Sequence, residues 1–232
     1  MILSNRVNYW TGEETKLFEQ EFAKYAETDY AIAVTNGTVA LDLALLTCGL
    51  RSGDEVIVTP RSFIASVSSV VLAGATPIFA EVDPDSQNIT AASISEVVTS
   101  KTKAIVVVHL AGVPADMDPI MELANRQGLT VIEDCAQAHG AKYKGRSVGS
   151  IGHVGAWSFC QDKIMTTGGE GGMVTTNDTE RWNAMWSYRD HGKSNAAVIS
   201  AAHSTMFKWR HESFGTNGRM FEYQAVFGRI QL

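Results

Sequence analysis

Short apolar runs alternate along this chain with longer stretches in which apolar residues return every three or four positions. Runs at 31–35 (AIAVT), 55–60 (EVIVTP), 75–83 (ATPIFAEVD), 103–110 (KAIVVVHL) and 130–141 (TVIEDCAQAHGA) predict strands. Because consecutive positions are apolar, these strands suit a mainly parallel sheet covered on both faces. VGAWSF at 154–159 and GMVTT at 172–176 extend the set. Helical spacing is read over 11–27, with Leu17, Phe18, Phe22 and Tyr25 on one stripe and Thr11 as the candidate cap. Further helices are expected in VALDLALLTCGL, in RSFIASVSSVVLAGA with Phe63 near its start, and in PADMDPIMELANRQG ending at Gly128. Two more are expected in RWNAMWSYRDHGK up to Gly192, and from Arg219 through MFEYQAVFGRIQL. Strand and helix alternating at this period predict one large α/β layer domain with right-handed crossovers, in which ligands collect at the carboxyl ends of the strands.

Candidate chemistry falls at those ends. Asn36-Gly37-Thr38 joins the first strand to its helix, a junction whose unpaired N–H groups and dipole suit a phosphate. The same residues would also serve as a plain helix cap. Phe63 follows the second strand, Asp134 and Gln137 the fifth, and Lys163 follows VGAWSF and precedes the Gly- and Thr-rich run Thr166 to Gly171. A lysine there is either a solvated surface group or, if desolvated, a nucleophile toward a carbonyl. An acid that ends an apolar strand needs a positive partner. A phosphate cradle, an aromatic residue, a buried carboxylate and a lysine are together what pyridoxal 5′-phosphate requires of its protein.

Composition narrows the partners. Hydrophobic residues make up 45% and charged residues 19%, as in ordinary globular proteins. The net charge is −6 without a basic run, so nucleic acid is not an expected partner. No apolar stretch reaches the roughly 18 residues of a membrane span, and MILSNRVNYW has no signal pattern, so a cytoplasmic location is expected and no membrane. Cys48, Cys135 and Cys160 are widely spaced and read as small core residues. The histidines at 109, 139, 153, 191, 203 and 211 lack zinc-enzyme spacing, and no metal is expected.

In the order and spacing of TNGTVALDLAL, GDEVIVTPRSFIAS, GATPIFAEVDPDSQNI, VVVHLAGVPADMD, VIEDCAQAHGAKYKG, GAWSFCQDKIMTTGGEGGMVTTND, RDHGK and GTNGRMFEYQAVFGRIQL, the chain resembles the DegT/DnrJ/EryC1/StrS family of pyridoxal-phosphate-dependent sugar aminotransferases. The resemblance implies a fold-type I large domain, a three-layer α/β/α sandwich, spanning residues 1–232 with an N-terminal helical segment. It implies that Lys163 forms the Schiff base, Asp134 pairs with the pyridinium nitrogen, Gln137 meets the ring hydroxyl and Phe63 stacks on the ring. It implies that Gly37, Thr38 and Ser158 hold the phosphate, and that Asn217 reaches the phosphate of a neighbouring subunit in a homodimer with shared sites. His139, His191 and Arg219 stand open between structural and site-lining roles. The implied reaction moves an amino group from an amino acid, usually L-glutamate, to a nucleotide-linked keto sugar. The family's smaller C-terminal domain, which covers the site, is expected to lie outside this chain. Lysine at 163 disfavours the related sugar dehydratases, which carry histidine there, and TNGTVA lacks the GxGxxG of a nicotinamide dehydrogenase. A non-catalytic or regulatory relative, or an inactive fragment, is the further reading.

Overall fold

The protein is described by a computed structural model covering residues 2–196, 198 and 211–232. His203 and part of the Ser-, His- and Gly-rich stretch 194–218 lie outside the described residues. In chain order the elements are α1 (Glu14–Tyr25), β1 (Tyr30–Val34), α2 (Gly37–Leu46), β2 (Glu55–Val58), α3 (Ala65–Leu72), β3 (Thr76–Phe79), α4 (Ala91–Val97), β4 (Thr102–Val108) and α5 (Met117–Gln127). There follow β5 (Thr130–Asp134), β6 (Lys142–Tyr143), β7 (Arg146–Ser147), β8 (Val154–Ser158), β9 (Gly172–Thr176), α6 (Thr179–Arg189) and α7 (Glu222–Gln231).

Seven strands form one sheet in the order β1-β9-β8-β5-β4-β2-β3, and β6 pairs with β7 as a separate hairpin. β9 is antiparallel to both β1 and β8, while the pairs from β8 to β3 are parallel. All sheet strands except β9 therefore point the same way, and their carboxyl ends share one edge.

The side-chain alternation of the strands divides the interior into two layers. Ile32, Val34, Val56, Val58, Val106 and Ile132 face α2, α3 and α6. Ala31, Ala33, Trp157 and Met173 face α1 and α7, and Ile57, Ile105, Val107 and Val131 face α4 and α5. The result is the expected three-layer α/β/α sandwich. Among the described residues no helix is long and apolar enough to cross a membrane.

Several local expectations change. Thr11 does not cap α1: its hydroxyl serves a turn with Asn8, and the buried Glu222 carboxylate instead accepts from the N–H of Glu14 (2.6 Å) and of Thr15 (3.3 Å). Glu222 also accepts from the Thr15 hydroxyl at 2.6 Å. A cap supplied by a residue 208 positions away has no local signature. Phe63 lies ahead of α3 rather than inside it, and Arg219 pairs with Val34 before α7 begins. Cys135 is buried as expected, whereas Cys48 and Cys160 are only partly so, and Cys160 sits on the wall of the cavity described below. Gly128 ends α5 in the left-handed conformation that its residue type favours.

α1 and α7 are held by this cap and by Arg229, which binds Glu14 and Glu21 from α7. Replacing Glu222 with alanine strands a part-buried backbone donor, a buried one and a buried hydroxyl. It is expected to lower unfolding free energy by about 3 kcal/mol, read from urea denaturation midpoints, with Glu222→Gln costing less because an amide oxygen still accepts.

Candidate active site

The carboxyl ends of β1, β2, β5 and β8 open on a cavity of about 590 Å³. Gly37, Thr38, Phe63, Asp134, Gln137, Ser158 and Lys163 all line it. Asn217 does not line it; it is exposed, and its backbone bridges Asp190.

At the β1–α2 junction the Asn36 side chain accepts from the N–H of Val39 at 2.9 Å. This cap leaves Gly37 and Thr38, the first helical residues, without intrahelical partners for their N–H groups. Close approach makes glycine necessary here. A Cβ on Gly37 would fall 2.6 Å from Ser158 Cβ and 3.0 Å from its Oγ, and one on Gly172 would fall 2.4 Å from the Asn36 carbonyl oxygen. The N-terminus of α2 is thus wedged between the end of β8 and the start of β9, with the Ser158 hydroxyl beside its free donors. This is the geometry of an anion cradle.

Asp134 ends β5, between Val108 of β4 and Ala156 of β8. The residue is 6% exposed, and its carboxylate accepts from the Ser66 hydroxyl at 2.7 Å (Oδ2) and from the Ala136 N–H at 3.2 Å (Oδ1). Burial raises its pKa above the usual carboxylate range, opposed first by the Ser66 hydrogen bond, then by Ala136. Among the described residues no cation forms an ion pair with it, so a cationic group entering the cavity would meet an unneutralised carboxylate.

Gln137 is oriented by Ala111, whose N–H donates to Oε1 at 2.7 Å from a left-handed backbone (φ 52°). With its oxygen engaged, the side-chain amide nitrogen is the atom left to donate into the cavity. Phe63 lines the cavity and is 69% exposed. Lys163 follows β8, its side chain 20% exposed and its Nζ 3.6 Å from Oδ1 of the exposed Asp162.

The residues left open between structural and site-lining roles are held as follows. His139 is buried against Trp157 and Phe159, with ring centroids 5.5 and 5.7 Å away, and does not line the cavity. Neither ring nitrogen makes a hydrogen bond of normal geometry among the described residues, and burial, with the charge of Lys163, lowers its pKa to about 4. Arg219 forms an ion pair with the buried Asp190, and the His191 carbonyl accepts from the His211 ring at 2.7 Å. Sequence reasoning missed Ser62 and Ser66, whose place beside Asp134 depends on β2 and β5 lying one strand apart in the sheet.

The chain belongs to the DegT/DnrJ/EryC1/StrS aminotransferase family, whose pattern it matches over residues 3–232. It is 43% identical over 221 residues to a GDP-perosamine synthase of Escherichia coli O157:H7, covering 95% of this chain and 58% of that protein. Among solved structures, an aminotransferase from Psychrobacter cryohalolentis superimposes with a TM-score of 0.97 at 67% identity, over 99% of this chain and 58% of that one. The NtdA structure from Bacillus subtilis, described with bound cofactor PMP, has a TM-score of 0.85 at 30% identity, over 98% of this chain and 49% of that one. The chain therefore spans about half to three-fifths of the length of these relatives.

The environment of Asp134 fixes the sign of a pH effect. Between the unfolded carboxyl value of about 4 and its elevated folded value, the folded chain holds the extra proton, so stability falls as pH rises through that window and stays lower above it. Asp134→Asn does not titrate. Its urea midpoint, measured without added ligand from about pH 4 to 8, is expected to gain on that of the native chain as pH rises. A pH-independent difference would place Asp134 at an ordinary carboxylate value.

Proposed function

We propose that this chain is the large, cofactor-binding domain of a pyridoxal 5′-phosphate-dependent aminotransferase. The reading extends to the intact protein, whose reaction would move an amino group from an amino acid, L-glutamate first among them, to a keto group of a nucleotide-linked sugar. The carrying observation is that one cavity gathers an anion cradle, a buried carboxylate that has no ion-pair partner among the described residues, and a lysine amine.

The residues present fit the cofactor. The free N–H groups of Gly37 and Thr38, with the hydroxyls of Thr38 and Ser158, would hold its phosphate, and Asp134 would face its ring nitrogen. Phe63 would cover one ring face, and the Gln137 amide nitrogen would donate to the ring oxygen. When bound, pyridoxal phosphate supplies an electron sink that eases removal of a proton next to the substrate nitrogen. The Asp134 carboxylate would stabilise positive charge at the ring nitrogen. Lys163 would bind the cofactor's aldehyde carbon, and, once displaced by the incoming amine, its free Nζ would take the proton from one carbon and return it to the other. Alternate use of an amino acid and a keto sugar then gives a ping-pong exchange.

Asn217 is exposed and does not line this cavity, and a role toward the phosphate site of a second copy, in a homodimer with shared sites, belongs to the same reading. The remaining length of the relatives gives room for the smaller domain that would close over the sugar. A cytoplasmic setting belongs to the same reading.

Mixing the purified protein with pyridoxal phosphate is expected to give the visible band of lysine-bound cofactor, and L-glutamate to bleach it. Lys163→Ala should give no such band and lose at least ~10³-fold in turnover. A native protein that never develops the band would refute the cofactor assignment. Steady turnover by the alanine variant without added amine would refute the role of Lys163.

A further inference from the structure

Two serines four positions apart, Ser62 ahead of α3 and Ser66 in its first turn, bracket Phe63. Their hydroxyl oxygens lie 2.7 Å apart, and Ser66 Oγ lies 2.7 Å from Asp134 Oδ2. A hydroxyl has one proton to give, and an ionised carboxylate only accepts. The Ser66 proton is therefore committed to Asp134, and Ser66 must accept from Ser62. The relay has one direction, from Ser62 through Ser66 to Asp134. Ser66 itself is 1% exposed, and both serines stand on the cavity wall beside Asp134.

We propose that Ser66, backed by Ser62, is the positioning residue that turns the Asp134 carboxylate toward the ring nitrogen of the cofactor. Because the serines flank Phe63, the same turn sets the aromatic face and the carboxylate together. This rests on the cofactor reading given above.

The surroundings leave this task to the serine. On the strand of Asp134, the side chain of Glu133 points to the opposite sheet face, where it accepts from His109 Nε2 at 2.9 Å and from the N–H groups of Gly149, Ile151 and Gly152. The neighbouring Cys135 is buried, and its pKa is raised by that burial, then by Glu133 and Asp134. From β4, the His109 ring is engaged with Glu133 and with the Ala115 N–H. After β8, the Lys163 amine forms its ion pair with Asp162. α3 offers Asp134 no charged group, only Ser66. Of the contacts that oppose the effect of burial on Asp134, the Ser66 hydrogen bond is the strongest.

Without the Ser66 hydroxyl, Asp134 keeps one donor, the Ala136 N–H, and takes up a proton more readily. A protonated carboxyl pairs poorly with a protonated ring nitrogen. The test uses Ser66→Ala, Ser66→Thr and Ser62→Ala in the whole protein with two readouts. In protein without cofactor, carboxyl-¹³C aspartate NMR, assigned with Asp134→Asn, should show the Asp134 titration moved upward by about one pH unit in Ser66→Ala. It should move less in Ser62→Ala and return in Ser66→Thr. In cofactor-loaded protein, the L-glutamate half-reaction of Ser66→Ala should slow about tenfold near neutral pH, its acid limb shifted in the same direction, with rescue by threonine.

Titrations and pH profiles that superimpose on those of the native protein would overturn the proposal. If Ser66→Ala does not fold, Ser62→Ala carries the same test with a smaller shift. The NMR readout needs no cofactor, so a native protein that fails to load cofactor would sink the earlier reading while leaving the hydrogen bond separately decided.

Discussion

A carboxylate ends the central strand of a sheet buried on both faces, and much of the local structure answers that burden. Removing an ionised group from water costs several kcal/mol unless donors replace the lost hydration. Among the described residues Asp134 receives two, a hydroxyl from Ser66 and a backbone N–H from Ala136, both neutral. Neutral donors hold the group in place without cancelling its charge. A counter-ion within the protein would have stabilised the fold and left nothing for a ligand. The neighbouring Glu133 shows the opposite solution. It is equally buried, but three backbone N–H groups and the His109 ring saturate it, and it ties β5 to the turn before β8. Two acids adjacent in sequence thus divide by sheet face, one closing the fold and the other left open to the cavity.

The other end of the cavity depends on strand direction. β9 alone runs against the sheet, so its first residue, Gly172, arrives at the edge where the other strands end, paired with both Val34 and Ser158. The absence of a side chain at Gly172 lets the Asn36 carbonyl cross it, and the same absence at Gly37 lets α2 close upon Ser158. The glycine-rich segment before β9 and the glycine after β1 are two halves of one contact. Lys163 lies at the beginning of the connection from β8 to β9, so the turn that brings the lysine into the cavity also brings the backbone that shapes the anion cradle.

The layer order was legible because consecutive apolar residues in strands such as Ile105–Val108 place apolar side chains on both faces of the sheet, and each face then has to be covered by helices. That Asp134 and Lys163 would meet at one edge was legible for the same reason: Asp134 closes, and Lys163 follows, an apolar run that must be buried. Features created only by tertiary contact were not legible. Glu222 caps α1 from the far end of the chain, and Arg189, wholly buried, donates to the Ala33 carbonyl at 3.2 Å and lies over the Tyr9 ring at 4.4 Å. Ser66 reads in sequence as one more small residue of a helix. The short helix α4 was missed because its cap is Thr90 paired with Ser93 rather than with an acid, and the β6–β7 hairpin because Lys144-Gly145 replaces the usual Asn-Gly at its turn.

Cradle, carboxylate and glycine-rich turn all converge on one amine. Reduction of the cofactor-loaded protein with borohydride, followed by peptide mass mapping, asks directly where the cofactor is attached. A single pyridoxyl adduct is expected, on the peptide carrying Lys163. An adduct spread over surface lysines, or one seated on any other residue while Lys163 remains unmodified, would contradict the assignment of Lys163 as the cofactor's attachment point.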